Sequence, residues 1–141
     1  MVKRTKTVPA SAEAVWAVVA DPQRLPEWFP RVKRVEGISE TGFTEVLYTR
    51  KGRPVRIDQH YNEVEPGQIL GWEQEISGTQ FEALLSLWRT RVSLEPDGAQ
   101  TRVCIEEEQR FRGNFGLGSM FQRRAAVRRI EGALRGLADL F

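Results

Sequence analysis

Hydrophobic and polar residues alternate along most of this chain, and the period lengthens only in two stretches. Residues 2–8 set Val2, Arg4, Lys6 and Val8 against Lys3, Thr5 and Thr7, which predicts a strand. Ser11 then stands before Ala12-Glu13-Ala14 and can cap the free N–H groups of a helix start, with Ala14 in place of the capping-box Glu. Val15, Trp16, Val18 and Val19 give this helix a bulky apolar side. Asp21-Pro22 ends it, because proline disfavours helix in the residue before it. Pro22, Pro26 and Pro30 limit residues 22–31 to a short helical turn around Arg24 to Trp28, and the adjacent Trp28 and Phe29 cannot both point the same way on it.

Strands are predicted next, over about 32–38, 43–50, 54–64, 68–76, 80–95 and 100–112. The breaks carry turn chemistry at Glu40-Thr41-Gly42, Lys51-Gly52-Arg53-Pro54, Glu65-Pro66-Gly67, Ser77-Gly78 and Pro96-Asp97-Gly98. Strands joined this tightly must be antiparallel, because a parallel crossover needs a dozen or more residues. After Gly113 the period becomes helical: Met120, Val127, Ile130, Leu134, Leu137 and Phe141 share one face. Arg123, Arg124, Arg128, Arg129, Glu131 and Arg135 occupy the others and read as solvated. Gly132 and Gly136, each costing about 1 kcal/mol relative to alanine, suggest a face packed tightly on the sheet. The order of elements is that of an α+β domain with helices on one side of an antiparallel sheet.

Composition narrows the function classes. A chain of 141 residues with 40% hydrophobic and 28% charged residues suits one domain, 1–141, with a real core. A net charge of +2 gives no case for a nucleic-acid partner. Cys104 is the single cysteine, so no disulfide forms within the chain, and together with the absence of a signal-like apolar run this points to a cytoplasmic protein. One histidine and one cysteine make a zinc site improbable, and no cofactor motif is present. His60 shares the parity of Arg56, Asp58 and Asn62, a polar face, which leaves no base for a nucleophilic Cys or Ser. Glu106, Glu107 and Glu108 are not a carboxylate pair, since in a strand the middle one faces away. The glycines from Gly113 to Gly118 read as a flexible lead-in or hinge to the last helix.

Several strings resemble the START-like, polyketide cyclase/dehydrase (SRPBCC) superfamily. They are Val8-Pro9-Ala10-Ser11 with Val15-Trp16, Asp21-Pro22, Leu25-Pro26-Glu27-Trp28-Phe29-Pro30, Leu94-Glu95-Pro96-Asp97-Gly98, Thr101-Arg102-Val103 and the terminal amphipathic helix. The resemblance covers the whole chain. It implies a helix-grip fold: a curved antiparallel sheet of about seven strands wrapped around a long C-terminal helix, with a cavity between them. Members include lipid carriers, ligand sensors, aromatase/cyclases and chaperone activators, with no residue set common to all of these activities.

Strand parity then names the inner rows: Val55, Ile57, Gln59 and Tyr61; Leu70, Trp72, Gln74 and Ile76; Trp88, Thr90, Val92 and Leu94; Val103, Ile105, Glu107, Gln109 and Phe111. Gln59, Gln74, Glu107 and Gln109 are polar residues on otherwise apolar rows. Unpartnered in a core they would cost about 1–3 kcal/mol each, so they are expected to meet one another or a wet cavity. The predicted ligand-binding set is Trp28, Phe29, Gln59, Tyr61, Trp72, Gln74, Trp88, Thr90, Glu107 and Gln109, while Trp16 reads as core. Three functions follow. The first is binding or carriage of a small hydrophobic molecule, of lipid, isoprenoid or polyketide-like kind. The second is a cyclase, aromatase or dehydratase using Glu107, with Tyr61, as acid/base. The third is an interaction module whose arginine-bearing helix contacts an anionic membrane or a protein.

Overall fold

The structure, a computed structural model, describes residues 1–113 and 117–141. Seven strands form one antiparallel sheet: β1 (Val2–Val8), β2 (Arg34–Glu36), β3 (Gly42–Tyr48), β4 (Pro54–Glu65), β5 (Ile69–Gln74), β6 (Leu85–Asp97) and β7 (Gln100–Phe111). Their order is β1-β7-β6-β5-β4-β3-β2, so each strand after β1 lies beside its sequence neighbour and β1 returns to pair with β7. The helices are α1 (Ala12–Val19), α2 (Leu25–Trp28) and α3 (Leu117–Ala138). The curved sheet with its C-terminal helix is the expected helix-grip arrangement.

Local chemistry fixes the element ends. Ser11 Oγ accepts from the Ala14 N–H at 3.1 Å, which caps α1 as its sequence predicts. Asp21 Oδ1 accepts from the Gln23 N–H at 3.0 Å and starts a single 3-10 turn over Pro22–Arg24 that runs into α2. Arg31, with φ of 69°, turns the chain out of Trp28-Phe29-Pro30 toward β2, a conformation uncommon for a non-glycine residue.

α3 packs along β1 and β7 and against α2. Ala126, Ile130, Ala133, Leu134 and Leu137 are its buried stripe, and they meet Val8, Val15, Val92, Val103 and Ile105 in one core. Met120 and Phe141, at the two ends of the predicted apolar face, are exposed.

Three expectations are corrected. The strand expected over 80–95 begins only at Leu85, because residues 77–84 form turns, with Gly78 at a φ of 78°. The two helix glycines do not face the sheet. A Cβ on Gly136 would lie 2.5 Å from the Trp28 carbonyl oxygen, and one on Gly132 would lie 3.0 Å from Pro30 Cγ, so they admit the α2 segment. Arg129 is not on a solvated face: it turns inward to Glu107. The proposed hinge between Gly113 and Gly118 includes residues 114–116, which lie outside the described residues.

Candidate functional site

Antiparallel register assembles the inner rows into levels across the sheet. Glu45 stands opposite Ile57, Gln59 opposite Gln74, and Tyr61, Trp72, Thr90 and Glu107 follow one another across β4, β5, β6 and β7. The segment after α2 supplies Phe29, Pro30, Arg31 and Val32 as a facing wall, and α3 contributes Arg129. Between them lies a cavity of about 380 Å³, within the size range of small-molecule sites. Its walls are largely apolar, with Phe29, Tyr48, Trp72, Phe81 and Trp88 the aromatic groups. Phe29 and Trp72 meet edge-on, with ring centres 6.1 Å apart.

The polar side chains of the cavity are unevenly satisfied. Arg129 donates through Nε to Glu107 Oε2 at 3.1 Å and through Nη2 to Oε1, a two-pronged pair around a carboxylate that is 2% exposed. The guanidinium carbon of Arg129 lies 5.0 Å from the centre of the Trp88 ring, within cation–π range. Glu45 lines the cavity, 7% exposed. Burial pushes its carboxyl up to about 7; a hydrogen bond from Gln59 and the Arg129 charge pull the other way, and the Glu107 charge adds to the rise. Gln59 Oε1 and Gln74 Nε2 are buried with no hydrogen-bond partner, side by side on adjacent strands.

Six of the predicted ligand residues line this cavity: Phe29, Gln59, Trp72, Gln74, Trp88 and Thr90. Four do not. Trp28 is buried in the core beside α3, its indole N–H unpartnered. Tyr61 packs on Phe43 with ring centres 5.8 Å apart, and burial together with the Asp21 charge raises its phenol. Glu107 and Gln109 border a separate depression of about 140 Å³ near Met1 and Val2.

Sequence reasoning missed Glu45 and the inward turn of Arg129. The signal for Arg129 was available: Ala126, Arg129, Ile130 and Ala133 recur at steps of three and four, so Arg129 lies on the buried stripe. For Glu45 it was not, because both rows of β3 are partly apolar, Phe43 and Leu47 on one side and Val46 on the other.

A family model described as polyketide cyclase/dehydrase and lipid transport matches residues 1–141. The chain belongs to that family. Solved structures share the fold of this family member at low identity. The di-domain ARO/CYC protein BexL aligns at a TM-score of 0.79 and 21% identity, over 98% of the chain but only 45% of its own, so the chain spans about half of that protein. The aromatase/cyclase Zhui from a Streptomyces species aligns at 0.72 and 18% identity, over 98% of the chain and 90% of its own. A START superfamily protein from Mycobacterium smegmatis aligns at 0.71 and 16%, over 98% and 94%. No curated protein matches the sequence.

Elsewhere in this family member, a larger surface depression of about 540 Å³ is bordered by Glu63, Arg89, Arg91, Glu106 and Glu108. Those charges are already paired, Arg91 with Glu63 and Glu106 and Arg89 with Glu108. His60 is exposed and meets Glu75 Oε2 at 3.0 Å. Among the described residues no group of three or more His, Cys, Asp or Glu is placed to hold a metal ion, and no helix is long and apolar enough to cross a membrane.

Proposed function

We propose that the chain binds a small hydrophobic, ring-bearing molecule in the cavity between the sheet, α3 and the segment following α2. The observation that carries this reading is the pairing of aromatic walls with two buried amide atoms, Gln59 Oε1 and Gln74 Nε2, that lack partners. An unpartnered buried polar atom costs about 1–3 kcal/mol, and a ligand offering one donor and one acceptor removes that cost for both amides. The test is native mass spectrometry of the purified protein, then titration of a neutral aromatic probe against the protein and a Val55→Trp variant that fills the cavity. Binding is expected to weaken at least tenfold in a variant that melts normally. Equal binding to both places the probe elsewhere and overturns the reading.

Glu45 favours a second reading, acid–base catalysis of the cyclase or dehydratase kind. A carboxyl titrating near neutrality inside an apolar cavity can both give and take a proton. Glu45 takes the role that the sequence pattern suggests for Glu107, both of whose oxygens are engaged by Arg129. On this reading Glu45→Gln abolishes turnover of a cognate substrate while the neutral probe still binds. A variant that retains full turnover removes the role.

A further inference from the structure

The charges at the polar end do not balance: Glu45 and Arg129 line the cavity, and Glu107 stands behind Arg129, outside the lining. Arg129 gives Nε and Nη2 to Glu107, so that pair is neutral. Glu45 is a further acid, and no salt bridge serves it among the described residues. With Glu45 ionised, Glu45, Arg129 and Glu107 carry one net negative charge; with Glu45 protonated they carry none. In neither state do they offer an occupant a net positive charge. The other cation of the lining, Arg31, is exposed, where water and salt screen it.

The remaining features agree with this sign. Gln59 Oε1 is an acceptor with no partner, beside the carboxyl that the same side chain hydrogen-bonds. Aromatic rings attract cations over their faces, and that of Trp88 already carries the Arg129 guanidinium. Gln74 Nε2 leaves one donor for a carbonyl or hydroxyl elsewhere on the ligand.

We propose that the cavity selects hydrophobic amines, held as ammonium ions against the Glu45 carboxylate and Gln59 Oε1, over carboxylates of the same carbon skeleton. The proposal rests on the binding reading above and adds the charge of the ligand to it. No covalent step is involved. A proton leaves Glu45 when the ammonium arrives below neutral pH, and none leaves when Glu45 is already ionised. The groups that face Glu45 and tune this exchange are Arg129 from α3, Glu107 from β7 and the Gln59 amide from β4; Ile57 and Val35, its strand neighbours, are apolar.

The experiment is calorimetric titration of the full chain with naphthylmethylamine, naphthylmethanol and naphthoate, at about pH 6 and about pH 8. The amine is expected to bind about tenfold or more tightly than naphthoate at the higher pH. Its affinity should rise about tenfold between the two, as a group titrating near 7 gives up its proton. The alcohol should show no such rise. Glu45→Gln should lose the preference for the amine and its pH dependence while still binding the alcohol, which also shows that the variant folds. If the variant fails to fold, the opposed pH trends of amine and naphthoate on the unaltered protein decide the matter. Naphthoate binding as tightly as the amine overturns the proposal, and so does an amine preference that survives Glu45→Gln. Alcohol binding without any amine preference overturns the selectivity alone; failure of all three ligands to bind overturns the binding reading with it.

Discussion

Glu45 should make this protein less stable as pH rises toward neutrality, the reverse of what a salt-bridged carboxylate does. Its carboxyl ordinarily titrates near 4.5 and is pushed to about 7 by burial in the fold. Between those values the folded protein holds a proton that the unfolded chain has released, so unfolding releases a proton and rising pH favours it. The contribution is therefore fully present below about 4.5 and lost as pH rises through about 7. At about 1.4 kcal/mol per tenfold change in proton affinity, the whole effect is about 3 kcal/mol, most of which falls between pH 5 and 8. The assay is urea denaturation of the protein and of Glu45→Gln across that range. Every other titrating group is common to both proteins, so the difference between their stabilities isolates Glu45. The unaltered protein should lose about 2–3 kcal/mol relative to the variant between pH 5 and 8. Two curves that run parallel would refute the argument, and with it the claim that the carboxyl is desolvated without a full counter-charge.

Other substitutions test the packing around the cavity. Gly136→Ala places a methyl 2.5 Å from the Trp28 carbonyl oxygen; overpacking of about 1–3 kcal/mol should exceed the gain of about 1 kcal/mol in helix propensity. Gly132→Ala meets only Pro30 Cγ at 3.0 Å and should cost less, so thermal melts that rank the two in the other order contradict the packing described. Arg129→Met leaves Glu107 buried and unpaired and should cost about 3–5 kcal/mol, while the double variant with Glu107→Met should recover at least half of that. A single variant within about 1 kcal/mol of the unaltered protein would show that the pair is solvated. Thr101→Val removes a hydroxyl that donates to the Ala10 carbonyl at 2.8 Å, tying β7 to the turn before α1, and should cost about 1 kcal/mol by denaturation.

Much of the fold could be read from the sequence because most of its strands alternate in at least part of their length. The inner rows of β4, β5, β6 and β7 follow parity, since each has one apolar side and short turns that fix register. The strand before Leu85 did not follow, because residues 80–84 keep an apolar content that turns can also accommodate. The candidate site was legible where polarity interrupted a clean row, as at Gln59 and Gln74, and where large aromatics shared those rows, as at Trp72 and Trp88. Glu45 escaped because β3 buries residues on both faces, Glu45 and Val46 alike, so alternation carries no information there. Arg129 escaped because a charge on a helix usually faces solvent, whereas the stripe through Ala126 and Ala133 places this one inside. Its partner, Glu107, comes from a different element, and only the tertiary fold shows that the two charges meet.

The return of β1 to β7 also sets the order in which the molecule can assemble. Val2 pairs with Glu107 and Val8 with Thr101, so the earliest strand made waits for one on the order of a hundred residues later, a non-local closure of the kind that slows folding. Until β7 arrives, Val8 has no partner strand, and neither Glu107 nor the helix that follows it is available to orient Arg129. The cavity is therefore completed only late in assembly, and a ligand that needs its polar end can stabilise the closed fold but cannot template the earlier strands.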